Sequence, residues 1–129
     1  RWPEHQPRCT FECMTVDNIL AGINRGAIEN AATADEQIDT LLRQPAFELE
    51  RIVSRGNATL SGKWYDQDRD EWVVVIQGRA TLTFDNAGTV DLNPGDYLHI
   101  PARCRHRVDW TDPQCETVWL ALHYAATAK

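Results

Sequence analysis

From Phe47 to Tyr124 the chain repeats one pattern: a short extended stretch, then a turn built from Gly, Asn, Asp or Pro. Phe47, Leu49, Arg51 and Val53 alternate with Glu48, Glu50, Ile52 and Ser54, a period of two that reads as a strand over 46–54. Gly56-Asn57 and Ser61-Gly62 flank a short strand near 58–60, and Trp64-Tyr65 leads into a polar loop over 66–70. Trp72-Val73-Val74-Val75-Ile76 is too uniformly apolar for an exposed strand, so it is expected to be buried on both faces or nearly so. Arg79–Phe84 and Thr89–Leu92 form a hairpin around Asp85–Gly88. Asn93-Pro94-Gly95-Asp96 is a tight turn, and further strands follow over 97–100, 104–110 and 116–124. Eight or nine strands so spaced predict an antiparallel sandwich or small barrel, not a parallel α/β sheet.

Ahead of this region the period differs. Thr33-Ala34-Asp35-Glu36 has the form of a capping box, and Ile38, Leu41 and Leu42 fall at i, i+3 and i+4. This predicts a helix over 33–44 that Pro45 ends. Residues 1–13 carry two prolines and no period and are expected to form an irregular arm, with Met14 a candidate natural start. The expected organisation is an arm and helix over 1–45, a β region over 46–124 and a short tail over 125–129.

A chain of 129 residues is one domain of ordinary size, long enough to bury about two thirds of its unfolded surface. Thirteen basic against nineteen acidic residues give a net charge of −6, which speaks against nucleic acid as a partner. No apolar run approaches the ~18 residues of a membrane span. Cys9, Cys13, Cys104 and Cys115 match no zinc pattern. With no signal peptide apparent, reduced thiols and a cytoplasmic protein are expected. Asp66-x-Asp68-x-Asp70 opens like a calcium loop, but Glu71 stands where that loop needs Gly, so a solvated turn is the better reading.

Two further spacings carry chemistry. Glu71 is followed by six residues and then Gly78; Gly95 is followed by five and then Pro101, with His106 five beyond. In these residues the chain resembles the cupin superfamily, whose first motif is Gly-x5-His-x-His-x3,4-Glu-x6-Gly and whose second is Gly-x5-Pro-x-Gly-x2-His-x3-Asn. Arg103 stands where the second Gly belongs and Trp110 where Asn belongs. The two histidines before the Glu are replaced by Trp64 and Asp66 in one register, or by Tyr65 and Gln67 in the other.

The resemblance implies an all-β, double-stranded β-helix (jelly-roll) barrel of the cupin type, here with an N-terminal helical arm, and commonly a homodimer. It also implies a divalent metal inside the barrel, on His106 and Glu71 with Asp66 or Gln67 completing the set. An imidazole with oxygen donors suits Mn, Zn, Fe or Mg. Tyr65, Trp64 and Cys104 are candidates for the wall of a ligand pocket. Parity supports part of this: if His106 faces inward, so do Cys104 and Val108, and Arg103, Arg105 and Arg107 face out. An unpaired Glu71 in an apolar interior would be costly, or protonated, unless a cation or His106 relieves it. The expected function is binding of a small polar metabolite at the metal, with possible isomerase, lyase or oxygenase chemistry through a Lewis acid and Glu71 as ligand or general base. The alternatives are a non-catalytic binding or sensor protein and a metal-free structural barrel.

Overall fold

The computed structural model describes residues 14–23 and 36–126. Eight strands follow in order: β1 (Gln37–Gln44), β2 (Phe47–Ser54), β3 (Arg69–Gln77), β4 (Ala80–Phe84), β5 (Gly88–Leu92), β6 (Tyr97–Ile100), β7 (His106–Thr111) and β8 (Thr117–Ala125). They form two antiparallel sheets, one in the order β1-β2-β8-β3-β6 and one in the order β5-β4-β7. Val73, Val75, Leu82, Phe84, Leu92, Ile100, Trp119 and Ala121 meet between the sheets as the core. Each comes from the inward-facing half of a strand, as a period of two requires.

The helix expected over 33–44 is absent from the described part of that range; Gln37–Gln44 is a strand instead. The reason is a bulge. Thr40 pairs with Glu50 and Leu42 with Leu49, so Leu41 is an extra residue. That insertion breaks the alternation and leaves Ile38, Leu41 and Leu42 at spacings that imitate a helix face. Pro45 does not end a helix but sits in the two-residue turn between Gln44 and Phe47, which pair. Residues 33–35, and with them most of the capping box, lie outside the described residues, as does the arm over 1–13.

No strand forms at 58–60. That segment runs beside β7 instead, where Thr59 N–H donates to Val108 O (2.8 Å) and Val108 N–H to Thr59 Oγ1 (2.9 Å). The outer face of β2 is covered in part by residues 14–23. Buried Arg51 donates to the carbonyl oxygens of Ile19 and Ala21, and pairs with Asp39 at 2.7 Å. The Asn93–Asp96 turn docks on β3: Gly95 N–H donates to Val75 O at 2.7 Å and Val75 N–H to Asp96 O at 3.0 Å. Gly95 has φ +91°, a conformation that favours glycine. No helix among the described residues is long and apolar enough to cross a membrane.

Candidate functional site

One end of the space between the sheets is not filled. A cavity of about 170 Å³ opens there, lined mostly by apolar side chains: Ile38, Ile52, Val73, Leu82, Ile100, Val108 and Trp119. Into it also reach Glu36, Glu50, Tyr65, Gln67, Glu71, His106 and His123. Strand register explains the convergence. Glu71 on β3 pairs with His123 on β8, so the two side chains are neighbours on the inner face. His123 pairs with Glu48 on β2, and Glu50 lies two residues on, on the same face. His106 opens β7 in the opposite sheet.

The hydrogen bonds fix how the imidazoles present themselves. His106 is buried, and its Nδ1 lies 2.9 Å from Cys104 O. A carbonyl only accepts, so Nδ1 carries the hydrogen, which leaves Nε2 of the neutral ring as an acceptor. The ring stacks on Tyr65 at 5.5 Å and meets Phe84 at 5.9 Å. His123 Nε2 lies 2.9 Å from Glu50 Oε1, and by the same reasoning Nε2 donates. His123 Nδ1 is buried with no hydrogen-bond partner among the described residues. Glu36 accepts from Ser54 Oγ, which accepts in turn from the Trp119 indole N–H at 3.1 Å.

Glu71 is different. It is 9% exposed, and no group among the described residues hydrogen-bonds its carboxyl. Burial pushes its pKa above the ordinary 4.5; His123, His106 and Arg69 pull the other way, and Glu50 adds to the rise. The Tyr65 hydroxyl is also pushed up, first by burial and then by Glu36 and Glu71.

Of the residues singled out from the sequence, Glu71, His106, Gln67 and Tyr65 line the cavity. Asp66, Trp64 and Cys104 do not. Tyr65 bridges to His106 in extended chain, so 65 and 67 turn inward while 64 and 66 turn outward. Asp66 accepts from Arg103 at 3.1 Å on the surface. Trp64 lies under the guanidinium groups of Arg105 (5.4 Å) and Arg107 (5.8 Å). Cys104 packs against the core, half-buried.

Sequence reasoning does not single out Glu50, and it reads His123 as an ordinary terminal-strand histidine rather than a site residue. Both stand on strands that the sequence reveals, but which face of β2 points inward was open, because Phe47, Leu49 and Val53 look more like a core than Glu48, Glu50, Ile52 and Ser54. The buried Trp119, two strand positions from Ala121 and four from His123, was the usable signal.

These residues do not fit the divalent metal that the resemblance implies. The two positions preceding Glu71 that face the cavity hold a phenol and an amide, and Asp66 is turned away. Among the described residues no three His, Cys, Asp or Glu side chains are arranged to hold a metal ion.

A family model described as a cupin domain matches residues 56–123. A Ralstonia eutropha JMP134 protein provisionally named a mannose-6-phosphate isomerase is 40% identical, with a TM-score of 0.78 over 88% of this chain and 100% of that one. A cupin superfamily protein of Desulfitobacterium hafniense DCB-2 (20% identity, TM-score 0.59) covers 70% of this chain and 78% of its own. A Cupin 2 conserved barrel protein of Salinispora arenicola CNS-205 (23%, 0.57) covers 70% and 76%. Among curated proteins none matches. The barrel, the Glu71…Gly78 and Gly95…His106 spacings within it, and a family match over more than half of the residues all lead to one conclusion: the chain belongs to the cupin family.

Proposed function

We propose that this cupin is a small-molecule-binding protein whose ligand occupies the cavity between the sheets, with its apolar body against Val73, Leu82, Ile100 and Val108 and its polar end at Glu71. The observation that carries this is the state of Glu71: a buried carboxyl that faces the cavity with no hydrogen-bond partner among the described residues. Burial disfavours the charged form of this carboxyl, a cost to the fold. A ligand that bonds to it removes that cost, whereas a purely structural barrel gains nothing from keeping it. Isomerase, lyase or oxygenase chemistry through a metal finds no matching donor set, so binding without a metal is the reading favoured.

Titration of the isotope-labelled protein with benzyl alcohol, a neutral probe of the right size, tests this by amide and indole NMR shifts. Shifts centred on the Trp119 indole and on Val73, Leu82 and Val108 support it. Shifts scattered over the surface, or none at all, contradict it. Protein purified without a metal column should hold far less than one equivalent of any divalent metal, and its melting temperature should not respond to chelator. A stoichiometric metal lost in His106→Ala would restore the metal reading.

We further propose a homodimer joined along β1, an edge strand that leaves Ile38, Leu41 and Leu42 exposed.

A further inference from the structure

We infer that the cavity is built for a small organic cation: an ammonium group on an apolar body about as large as one benzene ring. This rests on the cavity being a ligand site, and it names the class of ligand. Size comes first. An apolar cavity of roughly 150 Å³ takes up benzene, and this one measures about 170 Å³.

Charge points the same way. Glu36, Glu50 and Glu71 all line the cavity, and no Lys or Arg does among the described residues. The two histidines oppose this only in part, and each directs a ring N–H into the protein, His106 to Cys104 O and His123 to Glu50. The Trp119 N–H is spent on Ser54. Beside the Tyr65 hydroxyl and the Gln67 amide, which can donate, the carboxyl groups of the wall are acceptors, and the group that satisfies several of them at once is a donor with three hydrogens and a positive charge. Glu71, buried and unpartnered, is the acceptor that lacks its donor.

The approach is acidic as well. Outside the cavity lies an open basin in which Glu48, Asp66 and Asp68 join Glu50. Cations offset these acids only in part: Arg103 pairs with Asp66 at 3.1 Å, and Glu48 is shared by Arg43 at 2.7 Å and Arg69 at 3.9 Å, which leaves Asp68 and Glu50 paired with no Arg or Lys among the described residues. Such a rim raises the local concentration of cations and lowers that of anions. A phosphorylated sugar, the ligand that the Ralstonia relative's name suggests, brings only acceptors and negative charge to its phosphate end and is excluded on both counts.

The test compares three probes of one shape on the full chain by calorimetry: benzylammonium, benzyl alcohol and benzoate. We expect benzylammonium to bind at least about ten-fold more tightly than benzyl alcohol, the usual scale of one hydrogen bond to a charged group, and benzoate to give no heat. Glu50→Gln and Glu71→Gln, which keep shape and lose charge, should each reduce that preference. If benzyl alcohol binds as well as the ammonium, or benzoate binds best, the cation assignment is overturned while the ligand cavity stands. If the preference survives intact in both variants, the cation sits elsewhere and the assignment fails. If no probe binds, the ligand cavity itself is refuted, and this inference with it.

Discussion

At the scale of single residues, two positions carry most of the information. Glu71 holds its proton more tightly in the folded than in the unfolded state, because burial raises its pKa above 4.5. Stability from this group is therefore greatest below 4.5, falls as pH rises toward the folded value, and stays low above it. Glu71→Gln removes the titration. We expect the variant to be more stable than the parent at pH 7, with the gap closing toward pH 4 in denaturant melts. A variant less stable than the parent at pH 7 would show that Glu71 has a partner after all.

Arg103 is the second position. It adopts φ +65°, left-handed, at the place where the family motif has Gly. The backbone conformation has been kept without the residue that makes it easy, at about 1–2 kcal/mol. Its ion pair with Asp66 is exposed on both sides and returns little. Arg103→Gly should raise stability by about 0.5–1 kcal/mol in the same assay, and a loss would contradict the strain.

At the scale of elements, the turns made the sequence legible. The strands expected at 46–54, 72–76, 79–84, 89–92, 97–100, 104–110 and 116–124 lie within a few residues of β2 to β8, because a Gly, Pro or Asn near at least one end of each marks where the backbone must turn. β1 was not legible, since its bulge at Leu41 counterfeits a helical spacing and only the pairing with β2 settles the matter. The segment at 58–60 failed for a related reason: its Thr59 hydroxyl and amide bond to β7 in place of a regular ladder.

For the site, Glu71 and His106 were legible because motif spacing marks them. Glu50 and His123 were not, because only the stacking of three strands, β2, β8 and β3, brings them beside Glu71. The Gly of the first motif has a clear physical reason here. Gly78 ends β3 with φ +82°, and a Cβ there would lie 2.5 Å from Thr117 Oγ1 and 2.6 Å from Thr117 Cα at the start of β8. Since the backbone itself obstructs, Gly78→Ala should cost more than about 2 kcal/mol through combined clash and backbone strain. A near-neutral result in thermal melts would mean that the β3–β4 corner can open.

At the scale of the whole molecule, the two sheets divide the work. The well-filled end, around Val75, Ala80 and Leu92, supplies apolar burial; the other end keeps a cavity and three carboxyl-bearing side chains. The edge strand β1 contributes Ile38 to the cavity and exposes Leu41 and Leu42. Light scattering should give a dimer mass at micromolar concentration, and Leu41→Glu with Leu42→Glu together should give a monomer; a monomeric parent would remove β1 as an interface.

The central claim is that a carboxyl with no hydrogen-bond partner among the described residues faces this cavity, and the titration of that one group tests it most directly. The Glu71 side-chain carboxyl can be followed by carbon-13 NMR across pH, its signal assigned by its loss in Glu71→Gln. The account predicts a midpoint above 4.5 that drops when benzylammonium is added. A midpoint at or below 4.5 in the free protein would contradict it.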